Sequence, residues 1–326
     1  MWKLAPAVAA GNVIVIKSPE LAPLFAQKLA QLIVEADFPP GVINVLCGLG
    51  HIAGQALAEH ADVRKISFTG SATVGRKILA ASSLSNFKKA TLELGGKNPS
   101  IIFSDADLVN ALNWVTAGIT MNNGQICVAG SRIYVQDEIY DTFVAEFAAR
   151  ARKYVAGDPL MEETTKGPVI SAIQRERILK YVEEGRASGA DLIYSHHDND
   201  ANLPLTGHFV PNTGFGQVKP DATIMKEEIF GPVASISRFK TEKEVIELAN
   251  NTEYGLSAAV FTNDISKAIR VSDALESGQV TINMWGVVNA NTAFGGVKSS
   301  GTGRDLGKQA MDEWTQLKCV KINVLP

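Results

Sequence analysis

Within the first hundred residues, short runs of β-branched apolar residues alternate with segments of helical period. That alternation narrows the possible folds more than any other feature. Val13-Ile14-Val15-Ile16 is a continuous apolar run, the pattern of a strand covered on both faces. Residues 20–36 carry apolar side chains at helical spacing, and Pro39-Pro40-Gly41 stops them. Residues 43–46 predict a second strand, 51–60 a second helix and 64–68 a third strand. Thr69-Gly70-Ser71 then opens a third helix that runs to about Ser82. Such a succession builds a parallel sheet with right-handed crossovers, hence an α/β fold. The pattern repeats with longer helices over 108–121 and 139–155.

At 326 residues the chain can bury a large core and divide into domains. A formal net charge of −3 gives no reason to expect nucleic acid or a membrane surface as partner. The three cysteines, Cys47, Cys127 and Cys319, are far apart and odd in number. They argue against a disulfide framework and fit a reducing, cytoplasmic setting. His196-His197-Asp198-Asn199-Asp200 reads as a solvated loop, since no further ligands follow at zinc-like spacing; no metal site is expected.

Chemistry concentrates at two places. Cys127 lies in Asn122-Asn123-Gly124-Gln125-Ile126-Cys127-Val128-Ala129-Gly130-Ser131-Arg132. A lone cysteine is more often a small buried hydrophobe than a nucleophile. Here Gly124, Ala129 and Gly130 suggest room for a substrate to approach, and a loop can carry a nucleophile into a cleft. Cys47 and Cys319 sit in apolar or strand-like settings and read as structural. Glu93 follows Ala90-Thr91-Leu92 and precedes Gly95-Gly96. It is either a surface carboxylate or a base that activates water against a covalent intermediate.

Together with their flanks these residues are specific. Glu93-Leu94-Gly95-Gly96-Lys97 and Gly124-Gln125-Ile126-Cys127 with Ala129-Gly130-Ser131-Arg132 resemble the two signature motifs of aldehyde dehydrogenases. So do Lys226-Glu227-Glu228-Ile229-Phe230-Gly231-Pro232-Val233, Glu253-Tyr254-Gly255-Leu256-Ser257-Ala258 and Phe294-Gly295-Gly296-Val297-Lys298. The resemblance implies a Rossmann-like cofactor domain over 1–94, a catalytic domain carrying the cysteine over 95–293, and a return segment with an oligomerisation strand over 294–326. It implies Cys127 as nucleophile toward an aldehyde, Glu93 as general base, and Lys3 as an aid to proton transfer. No G-x-G-x-x-G is present; the family instead sets the pyrophosphate on the helix opened by Gly70 and Ser71, with Ala72, Thr73, Val74 and Gly75 in its first turn. Lys17 and Glu20 match residues that meet the adenosine ribose, and Gly50 a second cofactor-loop glycine. Glu228 and Phe230 match residues that hold the nicotinamide side. A carboxylate at Glu20 repels a 2′-phosphate, so NAD is expected rather than NADP.

The chain departs from the family pattern in several places. Full-length members carry about 150 further residues before Trp2, the size of another domain. That portion supplies an oxyanion-hole asparagine, worth about 2.7–4 kcal/mol in such sites, and one limb of an oligomerisation arm. Full-length members are expected to be homo-oligomers; this chain is not expected to assemble in the same way. Ala293 stands where a proline usually precedes Phe-Gly-Gly, and Asp305 where a glutamate usually follows Gly-Arg. Two other readings stay open. One is a short chain that binds cofactor weakly or has a non-catalytic role. The other is a cysteine hydrolase, which would leave the cofactor motifs unused and has no histidine near Cys127 in sequence.

Overall fold

The computed structural model describes residues 1–195 and 207–324, so the loop at 196–200 lies outside the described residues. Two compact units are present. The first comprises residues 1–93, 288–295 and 302–326; the second comprises 94–287 and 296–301.

The first unit runs α1 (Leu4–Ala9), β1 (Ile14–Lys17), α2 (Leu24–Glu35), β2 (Ile43–Leu46), α3 (Gln55–Glu59), β3 (Lys65–Thr69), α4 (Ala72–Leu84) and β4 (Lys89–Glu93). A helix over Gly307–Glu313 also belongs to it. The strands fall within a residue of their expected places. The helix expected over 20–36 starts late, because Pro19 and Pro23 bracket its first turn and Pro23 becomes the N-cap. The helix expected over 51–60 opens as a π-turn, Gly50–Gly54. The strands do not form one sheet. β1 pairs in parallel with β2, and β3 in parallel with β4, as separate ladders. Leu4, Ala7 and Ile14 form a small core with Leu29, Ile33 and Trp314 around it. Large apolar side chains stand in solvent on this unit, Leu24, Phe25 and Val34 among them.

The second unit is built on a seven-stranded sheet. Its elements are β5 (Pro99–Ile102), α5 (Leu108–Thr120), β6 (Arg132–Gln136), α6 (Tyr140–Ala151), α7 (Ala172–Ala187), β7 (Asp191–Ser195), β8 (Thr213–Gly216), α8 (Thr223–Lys226), β9 (Val233–Phe239), α9 (Glu242–Asn250), β10 (Tyr254–Gly255), β11 (Ser257–Phe261), α10 (Ile265–Ala274), β12 (Gln279–Ile282) and β13 (Val297–Lys298). The order is β12-β11-β5-β6-β9-β8-β7, parallel except for the β7–β8 pair. β5 and β11 are buried at every residue, as central strands of a parallel sheet must be. Asp107 caps α5 by accepting from the Asn110 amide, so the helix covering this sheet starts at a defined residue.

Two expectations are corrected. Residues 315–324 form no strand: no neighbouring strand offers them a ladder among the described residues, and Leu317, Val320, Ile322 and Val324 are exposed. Cys47 and Cys319 are likewise exposed rather than packed. Cys47 Sγ instead accepts from Gln27 Nε2 at 2.7 Å and lies 3.3 Å from Ser18 Oγ.

Candidate active site

Lys17, Glu20 and Gly50 come together at the C-terminal end of the β1–β2 pair. Lys17 Nζ donates to Glu20 Oε2 at 2.6 Å, and the Gly50 amide donates to Glu20 Oε1 at 3.2 Å. The Lys17 hydrogen bond above all, with backbone amides that include Gly50, holds the Glu20 carboxyl down at about 2, so it is ionised throughout the neutral range.

Gly70 separates β3 from α4. A side chain there would start 2.4 Å from the tip of the Phe68 ring, so any other residue would displace that ring. Its amide donates to the Glu93 carbonyl at 3.1 Å, which ties the turn to the end of β4. Ser71 caps α4 by accepting from the Val74 amide at 3.4 Å. Ser71, Thr73 and Val74 are exposed, Ala72 is half-buried and Gly75 is buried. An open first turn on a 13-residue helix, preceded by a glycine, fits a pyrophosphate. An ionised carboxylate just past the end of β1 fits ribose hydroxyls.

Glu93 ends β4 and is 6% exposed. Its Oε2 has no hydrogen-bond partner. Burial first, and then the negative charge of Asp305, push its carboxyl up to about 8; Lys3 and Arg304 pull the other way. Lys3 Nζ pairs with Asp305 Oδ2 at 2.5 Å, so the lysine singled out by sequence sits in the charge cluster that faces Glu93. Asp305, noted in the sequence only as a shorter replacement, proves to be a member of that cluster. The segment of Gly295 closes over Glu93: a Cβ on Gly295 would stand 2.6 Å from Oε1.

Cys127, Glu228 and Phe230 belong to the second unit. Cys127 is partly buried on the loop that follows α5. Asn122, Asn123 and Gly124 take left-handed backbone angles in succession and turn the chain sharply. The loop is then pinned by its carbonyls. Asn98 Nδ2 donates to the carbonyls of Cys127 and Ala129, each at 2.9 Å, and Trp285 Nε1 donates to that of Val128 at 2.9 Å. The small residues expected to make room for substrate serve this packing instead. A Cβ on Gly124 would lie 2.3 Å from the Gly231 carbonyl oxygen, and one on Gly130 2.7 Å from Ser100 Oγ.

Glu228 is joined to the same loop through Gly95 and Gly96. Its Oε1 accepts from the Gly96 amide at 3.1 Å, and Gly96 packs against the Cys127 carbonyl. Burial raises the Glu228 carboxyl above its usual range, against the Gly96 amide and the charges of Arg177 and Lys97. Phe230 adopts φ 56°, unusual for an aromatic residue. Gln174 Nε2 stabilises that turn by donating to the carbonyls of Ile229 and Phe230. Asn98 and Trp285 escaped the sequence reading, although Asn98 adjoins the Glu93 motif. Nothing in the sequence pointed to Trp285.

Among the described residues, no group of three or more His, Cys, Asp or Glu side chains could hold a metal ion. No helix among them is long and apolar enough to cross a membrane.

Residues 1–320 match the aldehyde dehydrogenase family model. The chain is 49% identical to an aldehyde dehydrogenase of Alternaria alternata over 323 residues, covering 99% of this chain and 64% of that protein. It is 47% identical to aldehyde dehydrogenase 1A1 of Bos taurus over 324 residues, again 99% of this chain and 64% of that protein. The crystal structure of betaine aldehyde dehydrogenase from Staphylococcus aureus in complex with NAD+ superposes with a TM-score of 0.92 at 39% identity, covering 96% of this chain and 62% of that one. The chain thus spans slightly less than two thirds of the length of these relatives. By its sequence and by its α/β fold, it belongs to the aldehyde dehydrogenase family.

Proposed function

We propose that this chain carries the chemistry of NAD-dependent oxidation of an aldehyde to a carboxylic acid, with Cys127 as nucleophile and Glu93 as base. The Cys127 thiolate attacks the aldehyde carbon and forms a thiohemiacetal. Bound NAD supplies the acceptor for the hydride that this adduct loses on becoming a thioester. Glu93 then takes a proton from water as the water attacks the thioester carbonyl. The C–S bond breaks, the acid leaves and the thiolate is restored. The neighbouring relatives in complex with NAD support the choice of cofactor. Glu20, ionised at the strand end, supports NAD over the 2′-phosphorylated form. Lys3 holds the Asp305 carboxylate beside Glu93 and so helps set when that base can accept and lose its proton.

One observation carries the reading. A buried carboxyl in the Glu93 motif keeps one oxygen without a hydrogen-bond partner and is raised to about 8, which makes it a stronger base than an ordinary carboxylate. The test is to follow NADH formation from NAD and a small aldehyde in the 326-residue chain and in Cys127→Ser. Loss of turnover in the variant with NAD binding retained is the expected outcome. Turnover that survives Cys127→Ser but fails in Cys47→Ser would overturn the assignment.

A further inference from the structure

Asn98 immediately precedes β5, the strand that lies between β6 and β11 in the seven-stranded sheet. It is 3% exposed, and every polar group of its side chain is used. Its Oδ1 accepts from the Ser257 amide at 3.0 Å, at the first residue of β11. Its main-chain carbonyl accepts from the Arg132 amide at 3.2 Å, at the first residue of β6. With the acceptor end facing Ser257, the two N–H groups of Nδ2 point at the carbonyls of Cys127 and Ala129. The residue type matters: aspartate has no N–H, serine has one hydroxyl and leucine has nothing to donate. Gly96 leaves room for the arrangement. A Cβ there would stand 2.6 Å from the Cys127 carbonyl oxygen and 2.7 Å from Asn98 Oδ1. What the contact fixes is the peptide of the candidate nucleophile itself. The Ile126 carbonyl accepts from the Ala129 amide at 2.9 Å, which orients the peptide plane before Cys127. Asn98 orients the plane after it. A planar peptide leaves each residue only two soft dihedrals, so holding both planes fixes the direction in which the Cys127 side chain leaves the backbone.

We propose that Asn98 is a positioning residue for Cys127, aiming its sulfur at the carbonyl carbon of a bound substrate. The inference rests on the reading of Cys127 as the nucleophile. Attack on a bound carbonyl demands a short approach along one line, and a misplacement of about 1 Å can cost about 10²-fold in rate. Asn98 acts through the Cys127 main chain. It is itself held by the first residues of β6 and β11, so the direction of the nucleophile is set by the central strands of the sheet rather than by its own loop. The intrinsic reactivity of the thiolate is a separate matter. A reagent that meets the sulfur from solvent needs the thiolate and no particular aim, which gives the proposal its control.

The test uses the 326-residue chain and two reagents that need no cofactor. 4-Nitrophenyl acetate acylates Cys127 with a burst of 4-nitrophenolate: the S–C bond forms, the ester C–O bond breaks and the thiol proton goes to solvent. Iodoacetamide alkylates the same sulfur by direct displacement of iodide. Asn98→Leu removes both donors at similar volume, and Gly96→Ala wedges a methyl group into the contact. In each, the limiting acylation rate at saturating ester is expected to fall roughly 10- to 100-fold. The half-saturating ester concentration and the alkylation rate should stay close to wild type. Asn98→Ser, which keeps one donor, should lose less, and it serves where Asn98→Leu does not fold. Acylation at the wild-type rate would overturn the proposal. So would acylation and alkylation that fall together, as in a loop that has merely collapsed, or a loss confined to the half-saturating concentration. Cys127→Ser runs beside these variants. A burst that survives in it fails the nucleophile reading and the positioning role with it. A silent Cys127→Ser beside a normal Asn98→Leu fails the positioning role alone.

Discussion

Replacing Glu93 by glutamine should change how stability depends on pH, and the structure sets the size of the effect. Glu93 is nearly inaccessible, and its carboxyl rises from an ordinary 4.5 to about 8 in the fold. Between those values the folded chain holds a proton that the unfolded chain releases. Stability therefore falls as pH climbs through this window and is lowest, for this group, above about 8. Each pKa unit corresponds to 1.36 kcal/mol, which bounds the loss at about 5 kcal/mol. Relaxation and water entry reduce such costs in real proteins, so about 2 kcal/mol is the working figure. At about 2 °C per kcal/mol for a large domain, Glu93→Gln should melt about 4 °C above wild type at pH 9 and close to it at pH 5. Thermal unfolding of both proteins across pH 5–9 reads this directly. A difference in Tm that stays constant over that range would refute the reasoning, since a change of packing alone has no reason to follow pH.

Other consequences follow from the same geometry. Lys97 is fully buried, its Nζ lacks a hydrogen-bond partner, and burial, reinforced by the Arg132 charge, brings its amine down to about 7. Lys97→Met should stabilise the fold at pH 6, where the lysine is charged at a cost, by on the order of 1–4 kcal/mol in denaturant unfolding, and the gain should shrink as pH rises from 7 toward 10.5. Glu20→Gln removes the carboxylate held beside Lys17; the ratio of NADP to NAD use should rise, which assays with both cofactors would measure. Trp285→Phe removes the donor to the Val128 carbonyl in a buried setting. It should cost about 1–3 kcal/mol in denaturant unfolding and slow acylation of Cys127 through a looser loop.

The strands were legible because their residues leave little choice. A buried parallel strand reads as an unbroken β-branched or apolar run, and 43–46 was placed to the residue. The helix ends were less so, since Pro19 and Pro23 delay α2 for a local reason that the apolar spacing of 20–36 does not contain. The site divides in the same way. Cys127, Glu93, Lys17 and Glu20 stood out because the motif around each is contiguous in sequence. Asp305 acquires meaning only when residues from both ends of the chain meet around Glu93, contacts that join positions far apart in the sequence. The glycines of the cysteine loop misled for a related reason. A glycine admits close approach, but the sequence does not say by what, and here the Gly231 carbonyl and the Ser100 hydroxyl fill the space.

The central claim is that Cys127 forms an acyl intermediate which Glu93 then releases. Mass spectrometry of the Glu93→Gln chain, incubated with NAD and an aldehyde and then digested, tests it most directly. The account predicts that the peptide holding Cys127 gains the mass of the acyl group and that the adduct persists far longer than in wild type. An unmodified Cys127 peptide, an acyl group on Cys47 or Cys319 instead, or an adduct that decays as fast as in wild type would contradict it.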